Sequence, residues 1–111
     1  MASHLLDSGY KDAAAVVIGS ALESHLHRLC VKSNVDLQFQ KADGSLQPKK
    51  ADMLNADLTK AGAYGPLDQK NVTAWLGLRN NAAHGQYSEY RLENVKLMLD
   101  AVRLFITQNP A

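Results

Sequence analysis

Apolar residues recur every three or four positions along most of this chain, which is the spacing of one face of an amphipathic α-helix. The first such stripe lies in residues 10–32 and consists of Ala15, Ile18, Leu22, Leu26 and Leu29. Residues 34–47 lose this period, and there a brief alternation of apolar and polar residues precedes the turn sequence ADG. We therefore expect an all-α fold, with a loop or a small hairpin over residues 34–47.

Four segments carry the helical pattern, with expected ranges of 10–32, 49–62, 66–84 and 89–108. Pro48 and Pro66 suit the first position of the second and third helix, because the backbone N–H has no intrahelical partner there. Gly85 supplies a C-terminal stop for the third helix. The short segment ahead of residue 10 is either a separate helical turn or the end of an upstream element. Four helices joined by connections of varied length predict a helical bundle.

The fourth predicted helix is apolar over a wider arc than one core face requires. Its first stripe consists of Leu92, Val95, Leu99, Val102 and Ile106, and a second stripe beside it of Met98, Ala101 and Phe105. A helix that is apolar over much of its circumference must be covered by something. Deep burial within the chain and a dimer interface are both consistent with this pattern.

The length of 111 residues predicts one domain, residues 1–111, either a whole protein or a module of a larger one. A single cysteine, Cys30, excludes an internal disulfide framework and suits a reducing compartment, so we expect a cytoplasmic protein. No apolar run is long enough to span a bilayer, and the first residues lack the features of a secretory signal. The net charge of +1 gives no support for nucleic-acid binding, which must come from local groups.

The third predicted helix ends in LRNNAAHG, which places an arginine, two asparagines and a histidine before a glycine. Arginine binds phosphate oxygens with a planar, charged fork, and histidine moves a proton near neutral pH. Arg79 and His84 are turned by about 140° and separated by about 7.5 Å along a helix. Within one chain, the two side chains can reach the same ligand atom only if Arg79 bends along the helix. In a two-fold dimer, the arginines and histidines of both copies can instead line one shared cleft. The alternative is a solvated helix end whose cations complement the helix dipole.

This stretch resembles the R-x4-6-H motif of the HEPN domain family, because residues 79–84 read RNNAAH, with a polar residue directly after the arginine. The resemblance extends through the segment GYKDAAAVVIGSALESHLHRL, the tryptophan-bearing run before the motif and the apolar last helix. It implies a helical bundle that dimerises and forms a metal-independent endoribonuclease site of the toxin or defence type. It further implies that Arg79 and His84 are catalytic, that Asn80 supports them, and that the ribose 2′-hydroxyl attacks the adjacent phosphate.

The resemblance also implies partners: RNA as the substrate, a second copy of the chain, and an antitoxin or a nucleotidyltransferase. Some toxin members carry a tyrosine two positions after the histidine, which the nucleotidyltransferase modifies. Gln86 stands there in this chain and Tyr87 follows one position later, a departure that counts against such regulation. The second interpretation is a non-catalytic HEPN-like module that binds a nucleotide, an RNA or a partner protein.

The candidate substrate-binding residues are Asn81, Tyr87, Tyr90 and Glu23. Asn81 lies within the motif, and Tyr87 and Tyr90 lie in the loop after it, where they are placed to contact a substrate. Glu23 is the one acid in the apolar middle of the first helix, and it is either solvated or placed beside the motif.

Two histidines of the first helix, His25 and His27, are turned by about 200° from each other and cannot chelate one metal. The sequence has no glycine-rich phosphate loop, no zinc-ligand spacing and no serine-nucleophile motif. We therefore expect no metal site and no cofactor.

Overall fold

Helices dominate the computed structural model, which describes residues 1–7 and 9–111 of the chain. The elements of this part are α1 (Ala2–Asp7), α2 (Lys11–Lys32), β1 (Gln38–Gln40), β2 (Leu46–Pro48), α3 (Ala51–Lys60), α4 (Pro66–Ala83) and α5 (Leu92–Gln108). The prediction of an all-α bundle with four main helices, α2 to α5, is confirmed. The segment ahead of them is helical in its own right and forms α1.

The connection between α2 and α3 contains a small antiparallel hairpin. Its register pairs Gln38 with Pro48, Phe39 with Gln47 and Gln40 with Leu46. The expectation that Pro48 begins a helix is wrong, because Pro48 is the last residue of β2. Lys49 still donates its backbone N–H to the carbonyl of Leu37 over 2.9 Å. The hairpin thus keeps the chain extended up to the start of α3 at Ala51.

The last helix begins at Leu92, later than the expected residue 89. A 3₁₀ turn over Tyr87–Glu89 takes up the preceding residues. Arg91 is the N-cap, and its backbone N–H donates to Oδ1 of Asn94 over 2.8 Å. This side-chain cap satisfies a backbone donor at the helix start. The cap therefore coincides with the start of the predicted apolar stripe at Leu92, and the residues before it do not join the helix.

The core lies around α2, which packs against α1, α3, α4 and α5. The largest fully buried apolar side chains include Leu22, Leu26, Leu54, Leu58, Met98, Val72 and Val95. Each such leucine contributes about 1.5–3 kcal/mol by leaving water. Within residues 1–7 and 9–111, no helix is both long and apolar enough to cross a membrane.

The wide apolar arc of α5 is covered largely by the chain's own helices. Its buried residues are Val95, Met98, Val102 and Phe105, and the other members of the two predicted stripes are half-buried. Leu97 and Leu104 lie outside these stripes and remain 68% and 56% exposed. Burial within one chain therefore accounts for the arc that the sequence displays.

An aromatic cluster closes the core between α2, α4 and α5. The ring of Phe105 meets Tyr64, Trp75 and His25 edge-on, at centroid distances of 5.2, 5.9 and 6.2 Å. The buried His25 also places its Nε2 atom 2.7 Å from the carbonyl oxygen of Asn109. Trp75 and His25 are thus packing residues.

Candidate functional site

A cleft of about 590 Å³ lies where α2, the start of α3 and the C-terminal half of α4 meet. Its charged and polar lining includes Glu23 from α2, Lys50 and Asp52 from the start of α3, and Arg79, Asn80 and His84 from the end of α4. The motif arginine and histidine, which the helical angle sets apart, therefore border one cavity within a single chain.

Arg79 reaches this cleft because its side chain bends along α2. Its Nη1 atom donates to Oε2 of Glu23 over 3.0 Å, and its Nε atom donates to Oδ1 of Asn80 over 3.2 Å. The side chains of Arg79 and Glu23 are 20% and 35% exposed. Among the described residues, none accepts a hydrogen bond from Nη2 of Arg79. The guanidinium is thus fixed through two of its nitrogens and keeps donors for a further acceptor.

His84 borders the same cleft from the end of α4. It is the C-cap residue, and its backbone N–H donates to the carbonyl of Asn80 over 3.0 Å. Gly85 follows with a φ of 74°, the left-handed conformation in which glycine readily ends a helix. The His84 side chain is exposed and its ring makes no hydrogen bond to a described residue. An imidazole in this setting is accessible to a ligand.

Lys50 is the second strong cation of the cleft. Of the adjacent Lys49 and Lys50, only Lys50 is available to bind a ligand there. Lys49 forms an ion pair with Asp57, with 2.7 Å between its Nζ atom and Oδ2. Lys50 is exposed, acts as the N-cap of α3 and lines the cleft. The sequence shows two adjacent lysines but not this division between them.

Gly19 belongs to the site as well, although the sequence reading does not single it out. A Cβ atom at this position would lie 2.1 Å from Cγ and 2.6 Å from Cβ of Arg79. A glycine inside a helix costs roughly 1 kcal/mol relative to alanine. The sequence signal for Gly19 is a glycine that lowers helix stability in an alanine-rich helix. It lies four residues before Glu23, the acid in the middle of that helix.

Two other candidate residues, Asn81 and Tyr90, line a separate groove that Glu89 and Asn94 also border. The hydroxyl of Tyr90 donates to Oδ1 of Asp12, and only 6% of Tyr90 is exposed. Burial and this hydrogen bond raise the pKa of the Tyr90 phenol. Tyr90 is therefore placed as part of the scaffold.

The loop that carries the tyrosines is fastened to the start of α2. Lys11 donates through Nζ to the carbonyls of Tyr87 and Tyr90, over 2.7 and 2.9 Å. Its Nζ atom also lies 4.6 Å from the centre of the Tyr90 ring, within cation–π range. Tyr87 is 48% exposed and does not belong to the cleft lining. Of the candidate substrate-binding residues, Glu23 thus contacts the motif arginine, while Tyr87, Asn81 and Tyr90 lie elsewhere.

The cleft offers groups that bind an anion and groups that exchange a proton. Arg79 presents a planar charged fork, Lys50 an exposed ammonium group and His84 an accessible imidazole. Among the described residues, no three histidines, cysteines or acids are grouped so as to hold a metal ion. Comparison of the chain with protein-family models, with curated proteins and with solved structures gave no match.

Proposed function

We propose that this protein is a metal-independent endoribonuclease of the HEPN type. The observation that carries the proposal is the shared cleft of Arg79 and His84, in which Asn80 and Glu23 hold the arginine. The resemblance of residues 79–84 to the HEPN motif supports the same assignment. An arginine–histidine pair without metal ligands suits the cleavage of a phosphodiester by an internal nucleophile.

In the proposed reaction the ribose 2′-oxygen attacks the adjacent phosphorus, and the bond from phosphorus to the 5′-oxygen breaks. A histidine takes the proton of the 2′-hydroxyl, and an imidazolium returns a proton to the departing 5′-oxygen. Arg79 stabilises the negative charge that develops on the phosphoryl oxygens. The products are a 2′,3′-cyclic phosphate and a 5′-hydroxyl.

The two proton transfers favour a site built from two chains. Among the described residues, His84 is the histidine that borders the cleft, whereas the reaction uses both a base and an acid. Two copies across a two-fold axis would supply one imidazole for each step. The exposed Leu97 and Leu104 on α5 offer apolar surface for such a contact. A homodimer is therefore part of the proposal.

The wider setting follows from the family resemblance. A ribonuclease of this kind acts as a toxin or in defence in the cytoplasm, under the control of an antitoxin or a nucleotidyltransferase. Tyr87 is exposed, although it stands one position beyond the modified tyrosine of some family members.

A non-catalytic module that binds a nucleotide, an RNA or a partner protein is the second candidate. Two observations favour it: the carboxylate of Glu23 already occupies one edge of Arg79, and the net charge of the chain is only +1. Both weaken the attraction of the cleft for a long polyanion.

RNA cleavage in the presence of a chelator separates the two candidates. We expect the wild-type protein to cleave mixed RNA and to leave 2′,3′-cyclic phosphate ends, and His84→Ala to be inactive. His27→Ala is the matched control, because it removes an exposed histidine outside the cleft lining. A folded, dimeric wild-type protein that leaves every RNA intact supports the binding module, and activity in His84→Ala refutes the mechanism.

A further inference from the structure

Gly19 and Glu23 lie one helical turn apart on the face of α2 that meets α4. Gly19 is buried, and the first two side-chain carbons of Arg79 occupy the space that a Cβ atom at position 19 would need, at 2.6 and 2.1 Å. Contacts this short do not occur between non-bonded carbon atoms, so a side chain here displaces Arg79 or separates the helices. Glycine at this position therefore lets the stem of Arg79 lie against α2.

Glu23 acts on the other end of the same side chain. Its Oε2 atom accepts from Nη1 of Arg79 over 3.0 Å, while Asn80 accepts from Nε over 3.2 Å. Two acceptors on different nitrogens determine both the position and the plane of a guanidinium group. The pair is partly exposed, and ion pairs of this kind contribute little to stability. The geometry of the pair is therefore better suited to orienting Arg79 than to stabilising the fold.

We infer that Gly19 and Glu23 are positioning residues that hold Arg79 in one orientation, with Nη2 left to bind a phosphoryl oxygen in the cleft. Gly19 leaves room for the aliphatic part of the Arg79 side chain, and Glu23 sets the direction of its guanidinium group. The consequence for RNA cleavage rests on the proposed function, whereas the orientation of Arg79 does not.

Because Glu23 is negatively charged, its role in positioning Arg79 can be distinguished by kinetics from a purely electrostatic effect on RNA binding. A carboxylate beside the cleft repels a polyanion, so its neutralisation alone should tighten RNA binding and lower KM. The loss of a positioning group should instead lower kcat, because a misplacement of about 1 Å can cost about 10²-fold in rate. The two roles therefore predict changes in different kinetic constants.

The test compares Glu23→Ala, which removes both the charge and the hydrogen-bond acceptor, with Glu93→Ala, which removes a carboxylate from an exposed site on α5. We expect kcat for RNA cleavage to fall about 10- to 100-fold in Glu23→Ala, with KM unchanged or lower, and to stay at the wild-type value in Glu93→Ala. Gly19→Ala should lower kcat in the same way in whatever fraction of it folds. An unchanged kcat in Glu23→Ala overturns the catalytic part of the inference.

A second measurement does not depend on ribonuclease activity. The side-chain Nε–H signal of Arg79 in ¹⁵N-resolved NMR is assigned by its absence from Arg79→Lys. We expect this signal to report a rigid group in the wild-type protein and in Glu93→Ala, and a mobile one in Glu23→Ala and Gly19→Ala. A signal that remains rigid in Glu23→Ala refutes the positioning role. If wild-type protein is inert on RNA while the Arg79 signal responds as expected, the proposed function fails and the positioning role stands.

Discussion

The loop that follows α4 and the cleft at the end of α4 both carry polar side chains, but in opposite settings. In the cleft, Arg79 and Glu23 are paired near the surface, and His84 is exposed. At the loop, Tyr90 is buried against Asp12, and Lys11 caps two of the loop carbonyls. The loop network uses its main hydrogen-bonding groups internally, whereas the cleft retains donors and an imidazole for a ligand. Polar residues close together in sequence thus divide into a scaffold and a site.

The largest effect should come from the arginine on the cleft side. For the proposed reaction, we expect Arg79→Ala to lower the rate of RNA cleavage about 10²- to 10³-fold, because it removes the charge that this proposal assigns to stabilising the transition state. Asn80→Ala should cost less, since Asn80 holds only one nitrogen of Arg79. Asn81→Ala should cost least, since Asn81 lines the other groove. Rate measurements on RNA, with circular dichroism to confirm folding, rank the three. A greater loss in Asn81→Ala than in Arg79→Ala contradicts the division into scaffold and site.

Gly19, which lies against the stem of Arg79, and Gly77, which lines the cleft, should differ in their effect on stability when changed to alanine. Gly19→Ala should lower the free energy of unfolding by about 1–3 kcal/mol, since its new methyl group overlaps Arg79. Gly77→Ala places its methyl group in open space and should raise that energy by about 0.5–1 kcal/mol, because alanine favours the helix. Urea unfolding of both variants is the measurement. Equal shifts of the two midpoints would show that the close approach at Gly19 is absent in solution.

On the loop side, Tyr90→Phe should act mainly on stability. It removes the hydrogen bond to Asp12 and leaves a partly buried acceptor, which costs about 1–2 kcal/mol. The rate of RNA cleavage per folded molecule should fall far less than in Arg79→Ala. Thermal unfolding and the cleavage assay together check this. A variant with wild-type stability and no activity would place Tyr90 in the substrate site after all.

Alkaline pH should lower the stability that Tyr90 contributes to the folded protein. The pKa of Tyr90 is raised in the folded protein by burial and by the hydrogen bond to Asp12, so above about pH 10 the unfolded chain loses its phenolic proton first. The stabilisation that the protonated Tyr90 phenol contributes is complete below about pH 10 and declines as the pH rises above that value. Urea midpoints at about pH 8 and about pH 11 should therefore differ less in Tyr90→Phe than in the wild type. Burial also raises the pKa of Tyr64. Part of the loss of stability at high pH should therefore remain in Tyr90→Phe.

The smallest expected effect is that of Glu23→Gln on stability. The ion pair with Arg79 is partly exposed, so its loss should change the free energy of unfolding by no more than about 1 kcal/mol. A thermal melt beside Glu93→Gln measures this difference. A much larger loss would show that Glu23 belongs to the scaffold.

The apolar periods of α2 and α5 and the identity of the motif residues are properties of the sequence itself. A helical stripe depends on neighbours three and four positions apart, so it can be read from a short window. The same reading missed the role of Pro48, because the hairpin ladder, and not the helix, sets its conformation. The local pattern is also consistent with either a solvated Glu23 or a Glu23 beside the motif.

The partners of the polar residues depend on tertiary packing and cannot be obtained from the local sequence. Glu23 meets Arg79 from 56 positions away, and Asp12 meets Tyr90 from 78 positions away. Such pairs depend on how closely α2 and α4 approach and on where the loop after α4 returns, which no local period encodes. The sequence alone therefore determined the helices and named the chemical groups. The packing of α2 against α4, made close by Gly19, determined which of those groups face the cleft.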